Sequence, residues 1–268
     1  EQVFVDGFTR AKTYGAAWNK YNDLSNRARA SELPPRRDLA LEALWEILQG
    51  ERYITCHSYV QSEINMLMKI AEQFDFRVQT FTHILEGYKV ADKMQAHGVG
   101  GSTFSDWWGY KYEVIEAIPY NASLMTGEGV VTAINSDNAE MGRRLNQEAA
   151  KSIKYGGMSE EDAWKMVTLN PAKLLQLDHR MGSIKVGKDA DLVLWTHNPL
   201  SVYATVEQTM IDGAVYFDRI KDEQHQRIVA SERNRLIQNI LQSGEKPGGS
   251  TAKQPPPQLH CEDLIYEN

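Results

Sequence analysis

The sequence feature that most constrains the fold is a regular alternation of short apolar segments with amphipathic ones between residues 52 and 155. Strands are predicted at residues 52–59, 77–83, 99–106 and 130–137. Helices are predicted after them at residues 61–74, 86–97 and 141–155, with a partly helical segment at residues 112–125. Parallel strands need a long crossover between them, which is usually a helix. Four successive strand–helix units therefore predict an α/β fold in which helices cover a parallel sheet.

Side chains that bind metals or transfer protons stand where these predicted strands end. His57 and Tyr59 end the first strand, His83 ends the second and Asp137 ends the fourth. Sheets of this kind carry their chemistry at the carboxyl ends of the strands. A carboxylate there is costly to desolvate unless a metal, a base or a substrate pairs with it. The alternative for Asp137 is that it only caps the following helix.

Asp106 ends the third strand as Asp137 ends the fourth. Trp107 and Trp108 stand beside it and favour a packed loop rather than a pocket.

The pattern changes after residue 155. Ser159 is the predicted N-cap of a helix at residues 159–169. Strands are predicted at residues 183–186, 192–195 and 205–217, with Asp212 and Gly213 as a hairpin turn. A polar helix and then a mobile linker rich in Gly, Ser, Pro and Lys, at residues 244–258, are predicted to complete the chain. The predicted regions are residues 1–178, 179–220 and 221–268.

Composition bounds the partners of the chain. With 268 residues, a net charge of −7 and a pI near 5.6, it has no basic stripe for phosphates, which argues against a nucleic-acid partner. No apolar run is long enough to span a bilayer. Two cysteines do not make a disulfide framework. The first residue is Glu1 and the opening residues read as interior sequence, so we expect the natural protein to begin upstream.

Four segments together carry a family resemblance. They read TCHSY at residues 55–59, FTHILEGYKVADKM at 81–94, AINSDNAEMGRRLNQEAAK at 133–151 and VTLNPAKLLQLDHRMGSIKVGKDADLVLW at 167–195. With them the chain resembles the amidohydrolase superfamily over residues 1–219, and within it the imidazolonepropionase-like bacterial amidohydrolases. Val60 departs from imidazolonepropionases proper, which have a glutamate there.

The resemblance implies a TIM barrel with a metal centre at the carboxyl ends of its strands, plus a small β-sandwich. It implies that His57 is the fifth-strand ligand, His83 the sixth-strand histidine and Asp137 the eighth-strand aspartate. The family's first-strand His-x-His pair does not occur in this sequence. The expected fold is therefore the C-terminal half of a barrel with part of a β-sandwich, and the missing N-terminal half is an expected partner.

The same resemblance implies a metal-dependent hydrolase that cleaves an amide, a cyclic amide or a peptide bond with a metal-activated water. One or two divalent ions, most simply Zn²⁺, are expected on His57, His83 and Asp137. Asp137 and His83 are the expected catalytic residues. Tyr59 and Tyr88 are candidate substrate-binding residues, although packing accounts for a tyrosine equally well.

The expected substrate is a small amide or a dipeptide. The sequence does not decide whether the protein forms a homodimer. Two alternatives remain: a prolidase-like dipeptidase, and a non-catalytic barrel fragment or interaction module. Bacterial cytoplasm and periplasm are both compatible with the sequence.

Overall fold

A computed structural model describes residues 1–243 of the chain. The chain divides into two units, Glu1–Tyr216 and a second that begins at Phe217. In the second unit the described part is mainly one helix, α11 (Arg219–Ser243). The linker predicted at residues 244–258 lies outside the described residues. No helix within residues 1–243 combines the length and the apolar character that crossing a membrane requires.

A four-stranded parallel sheet is the centre of the first unit. Its strands are adjacent in chain order, which confirms the predicted succession of strand–helix units. Thr55 pairs with Thr80, Phe81 with Gly101, and Ser102 with Ala133. The strands are β1 (Thr55–His57), β2 (Thr80–Thr82), β3 (Gly100–Thr103) and β4 (Thr132–Ile134).

Helices connect these strands, and α4 (Gln61–Phe74) has the bounds that the sequence predicts. Two connections are more broken than predicted, because 3₁₀ turns at Gly87–Lys89 and Tyr112–Val114 precede their helices. The other helices around the sheet are α5 (Ala91–His97), α6 (Asn121–Gly127), α7 (Ala139–Gly142), α8 (Leu145–Gly156), α9 (Glu160–Lys165) and α10 (Leu169–Leu174). Those that precede β1 are α1 (Gln2–Asn22), α2 (Asn26–Arg29) and α3 (Leu39–Leu48).

The main core lies between α4, α5 and the sheet. Phe81 of β2 is fully buried in it among the apolar stripe of α4, which comprises Ile64, Leu67, Met68 and Ala71. The glycines of β3 are explained by close packing. A Cβ on Gly100 would collide with Leu174, and one on Gly101 would collide with Ile84.

A second sheet of three strands follows, in the order β5 (Leu192–Trp195), β6 (Val206–Ile211), β7 (Ala214–Asp218). Asp212 and Gly213 form the predicted hairpin turn, with positive φ angles of 50° and 77°. The strand predicted at residues 183–186 is wrong. Ile184 and Val186 are exposed there, and the segment is a loop that Lys188 Nζ holds through Met181 O and Ser183 Oγ. The predicted packing of two sheets into a β-sandwich stays a prediction.

Candidate functional site

The histidines that end β1 and β2 lie side by side. In the parallel register, His57 of β1 pairs with Thr82 of β2. His83 is the next residue after Thr82, so the two histidines are neighbours at the ends of their strands. The two imidazole ring centroids are 4.5 Å apart, and the rings stand nearly perpendicular at 83°. The register of two neighbouring strands therefore brings together the histidines that the sequence analysis selected.

His83 and Asp137 share an unusual backbone conformation. Their φ angles are 64° and 50°, in the left-handed region that non-glycine residues rarely adopt. Such a conformation costs about 1–3 kcal/mol and is concentrated at functional sites. His83 directly follows β2, and Asp137 comes three residues after the end of β4, so both bends lie where the chain leaves the sheet.

Asp137 is not the residue that caps α7. The N-cap is Asn138, whose Oδ1 accepts hydrogen bonds from Glu140 N at 2.9 Å and Met141 N at 3.0 Å. Asp137 is exposed and lies one residue before this cap. The alternative in which Asp137 serves only as a helix cap is therefore wrong.

Asn135 joins the fourth strand to the histidine pair. Its backbone N–H donates to Thr103 O at 3.0 Å, which continues the ladder beyond β4. Its side-chain Nδ2 lies 3.2 Å from His83 Nδ1, so it orients that ring. Within the described residues, the buried Oδ1 of Asn135 has no hydrogen-bond partner. Because buried polar atoms are normally hydrogen-bonded, this oxygen can accept a hydrogen bond from a further polar group at the site.

The electrostatic surroundings of His83 favour its neutral form. Burial and the neighbouring His57 lower the pKa of His83, while the negative charge of Asp137 opposes that shift. The charge of Lys111 lowers this pKa further. The neutral imidazole is the form that binds a metal or accepts a proton.

His97 shows what a structural histidine looks like in the same molecule. Its Nδ1 lies 3.1 Å from Glu72 Oε1, and its Nε2 accepts from Val78 N at 3.3 Å, so both ring nitrogens have partners. Over residues 1–243, by contrast, neither the His57 ring nor the Asp137 carboxylate makes a hydrogen bond. The side chains of His57 and Asp137 are therefore available to bind a ligand, whereas both ring nitrogens of His97 already have partners.

The two candidate tyrosines differ in position. The Tyr59 ring lies 4.8 Å from His57 and 6.4 Å from His83, measured between centroids, so it lines the site. Tyr88 is fixed elsewhere: its hydroxyl donates to Glu116 O at 3.0 Å, and its backbone N–H donates to Asn121 Oδ1 at 2.9 Å.

A loop after β3 contributes residues that the sequence analysis did not select. Phe104 stacks on the His83 ring with centroids 4.9 Å apart. Trp107 has a positive φ of 72°, and its Nε1 donates to Ser136 O at 3.0 Å. Lys111 Nζ lies 3.9 Å from the centre of the Tyr59 ring. The only sequence signal was the aromatic content of the segment, and that indicated a packed loop.

Asp106 binds Lys151 rather than the histidines, which agrees with the packed loop that the sequence predicts. It forms an ion pair with Lys151, whose Nζ is also 2.7 Å from Glu148 Oε2. Ser105 Oγ donates to the same buried Glu148 carboxylate. Burial lowers the pKa of Lys151, but its hydrogen bonds with the two carboxylates outweigh burial and raise it overall.

The donors at the site suit a borderline divalent metal such as Zn²⁺, since two imidazoles and one carboxylate are its usual ligand types. The residues that the structure describes contain no group of three His, Cys, Asp or Glu side chains that could hold such an ion. His57, His83 and Asp137 therefore do not form a three-ligand site by themselves, and their role as metal ligands stays a prediction that needs ligands from outside residues 1–243.

Comparisons with known proteins identify relatives of this chain. The Amidohydrolase family matches residues 120–216. "Amidohydrolase tasK" of Hapsidospora irregularis is 31% identical over 186 residues, which are 68% of this chain and 19% of that protein. An imidazolonepropionase of Thermoplasma volcanium is 27% identical over 168 residues, which are 60% of this chain and 41% of that protein.

A solved amidohydrolase from Thermotoga maritima has a similar structure, with a TM-score of 0.71 and 28% identity. The match covers 81% of this chain and 55% of that one, so the chain spans about half the length of the solved relative and less of the two sequence relatives. The four sequence segments, the parallel sheet and these matches together support the assignment of the chain to the amidohydrolase superfamily.

Proposed function

We propose that this chain supplies half of an active site that hydrolyses a carbon–nitrogen bond in an amide, a cyclic amide or a peptide. The observation that carries the proposal is the position of His57, His83 and Asp137. All three end or follow strands of one parallel sheet, and neither His57 nor Asp137 makes a hydrogen bond in the described chain.

The open edge of the sheet supports the half-barrel arrangement. Among the described residues β1 pairs only with β2, and Thr55 and His57 are exposed. A closed barrel has no such edge. The solved relative is nearly twice as long as the segment matched here, which provides length for further strands. We infer that a further strand beside β1 completes the site.

A bound divalent metal such as Zn²⁺ would supply a nucleophile, because it lowers the pKa of a coordinated water from 15.7 to about 7. In the hydrolysis, water adds to the carbonyl carbon, the carbon–nitrogen bond breaks, and the leaving nitrogen takes a proton. In this proposal Asp137 accepts the proton of the water and delivers it to that nitrogen, as a general base that becomes a general acid. His83, whose ring Asn135 orients, binds the metal or polarises the carbonyl.

Two further functions stay in view. A prolidase-like dipeptidase would differ only in the residues that line the pocket. A solved prolidase with 19% identity and a TM-score of 0.50 supports the shared fold alone. A non-catalytic module is favoured by the lack of a three-ligand group within residues 1–243.

The test is to express the complete gene product that contains this chain, load it with Zn²⁺ and screen dipeptides and cyclic amides for hydrolysis. We expect turnover that a chelator abolishes and added metal restores. The 268-residue chain by itself should hold less than one tightly bound ion, measured by metal analysis after gel filtration. Metal-loaded complete protein that hydrolyses no amide would favour the non-catalytic module.

A further inference from the structure

We propose that Lys111 is a specificity-determining residue that binds a carboxylate group of the substrate. This inference rests on the proposed function and narrows its substrate class to amides that carry a free carboxylate next to the scissile bond, such as dipeptides and N-acyl amino acids. Lys111 lies in the loop between β3 and α6, directly before the 3₁₀ turn Tyr112–Val114.

Lys111 is fixed beside the histidine pair by one aromatic ring. Its Nζ lies 3.9 Å from the centre of the Tyr59 ring, and the same ring lies 4.8 Å from the His57 ring. A cation over an aromatic face is held by the ring quadrupole. The ammonium group is therefore separated from the His57 ring by the Tyr59 ring alone.

The ammonium group has one partner that a substrate carboxylate can replace. It carries three N–H donors and hydrogen-bonds with Tyr59, Tyr110 and Glu113. Glu113 Oε2 lies 3.2 Å away, and both partners are partly exposed, with side-chain exposures of 34% for Lys111 and 57% for Glu113. Exposed ion pairs of this kind are weak, so a substrate carboxylate can displace Glu113.

Charge makes Lys111 distinctive at this end of the sheet. The chain has a net charge of −7, and Asp137 adds a negative charge near His83. The Tyr59 ring, which contacts both Lys111 Nζ and the His57 ring, brings this positive charge close to the site. Hydrogen bonds with Tyr59 and Glu113 outweigh burial and raise the pKa of Lys111, so it stays charged at neutral pH.

The loop also provides an apolar surface beside the cation. The Trp107 and Tyr110 rings are 5.2 Å apart, and the Phe104 and Trp107 rings are 6.3 Å apart. An amino acid with an apolar side chain and a free carboxylate has the two features that this wall and the ammonium group can bind.

The test measures binding separately from turnover, in the complete gene product with its metal removed so that neither ligand is hydrolysed; the metal-loaded protein is used for the turnover measurement. Calorimetry compares N-acetyl-L-phenylalanine with N-acetyl-L-phenylalanine amide, which differ only in the carboxylate. We expect tighter binding of the acid, and we expect Lys111→Met to weaken it about 10-fold, at the lower end for a hydrogen bond to a charged group. Binding of the amide should not change, and Lys111→Arg should keep the preference for the acid.

Lys93→Met is the matched control, because Lys93 is an exposed lysine on α5. It should leave both dissociation constants unchanged. With glycyl-L-phenylalanine as substrate, Lys111→Met should raise KM and leave kcat nearly unaltered.

Equal binding of acid and amide by the unaltered protein would overturn the inference, as would equal weakening of both by Lys111→Met. If the acid is preferred but no amide is hydrolysed, the carboxylate site stands and the proposed hydrolase fails. If dipeptides and their amides are hydrolysed alike, the hydrolase stands and the role of Lys111 fails.

Discussion

The two outer strands of the parallel sheet carry equivalent candidate residues in opposite surroundings. All three residues of β4 are buried, and the chain after it continues through Asn135 to Asp137. In β1, Thr55 and His57 are exposed and only Cys56 is partly covered. Among the described residues both are edge strands, since β1 pairs only with β2 and β4 only with β3, but β4 is covered by other parts of the chain and β1 is not. The exposed edge at β1 is therefore the side where further structure is expected to change the environment most.

The largest effect is expected at the β4 end. Asp137→Asn in the complete gene product should lower turnover about 10²-fold to 10⁴-fold, the usual contribution of a general acid–base group. Folding should be unaffected, because Asp137 is exposed and does not cap α7. Glu128→Gln, at an exposed glutamate after α6, is the control and should retain full activity. Retained turnover in Asp137→Asn would remove this carboxylate from the mechanism.

The next largest effect is expected inside the sheet. Phe81 of β2 is fully buried and packs in the main core, so Phe81→Ala should lower the free energy of unfolding by about 3–5 kcal/mol. Urea unfolding followed by far-UV circular dichroism measures it. A loss below about 1 kcal/mol would show that this part of the core is much looser than the structure indicates.

A smaller effect is expected where the loop after β3 reaches the end of β1. Burial and a hydrogen bond with Tyr59 raise the pKa of Tyr110 to about 12, against about 10 for an ordinary tyrosine. Because burial disfavours the phenolate, Tyr110 should stay neutral through the pH range in which other tyrosines ionise. The difference in absorbance at 295 nm between the unaltered protein and Tyr110→Phe, followed against pH, measures this. A difference spectrum that titrates near pH 10 would show that the loop does not cover Tyr59.

The smallest effect is expected at the open edge. In the 268-residue chain, Thr55→Ala should change the free energy of unfolding by less than about 0.5 kcal/mol, as exposed substitutions do. In the complete gene product the same substitution should cost more, because another strand would cover Thr55. Equal effects in the two proteins would contradict the half-barrel arrangement.

Local patterns in the sequence predicted the parallel sheet well. The apolar stripe of α4 gave its bounds, and strand-like segments ending on His57 and His83 predicted their approach. The isolated segment at residues 183–186 shows the limit of such patterns. Its alternation of apolar and polar residues resembles that of a strand. A strand forms only where a partner strand pairs with it, and the local sequence does not show whether such a partner exists.

Features that depend on distant residues could not be predicted. Glu148 and Ser105 are 43 positions apart and meet in a buried hydrogen bond. Lys111 reaches Tyr59 from a loop without periodic pattern. Asn135 and Asp137 are two residues apart in the strand predicted at residues 130–137, which puts them on one face, but the contact of Asn135 with His83 depends on the sheet register.

The left-handed backbone at His83 and Asp137 has an evolutionary consequence. Glycine adopts that conformation without a steric penalty, so replacing either residue by glycine would relieve local strain while discarding its imidazole or carboxylate. Selection for stability alone would therefore push both positions toward glycine. If His83 and Asp137 act as proposed, we expect relatives that catalyse the reaction to retain both residues, and relatives with glycine at both positions to keep the fold without the activity.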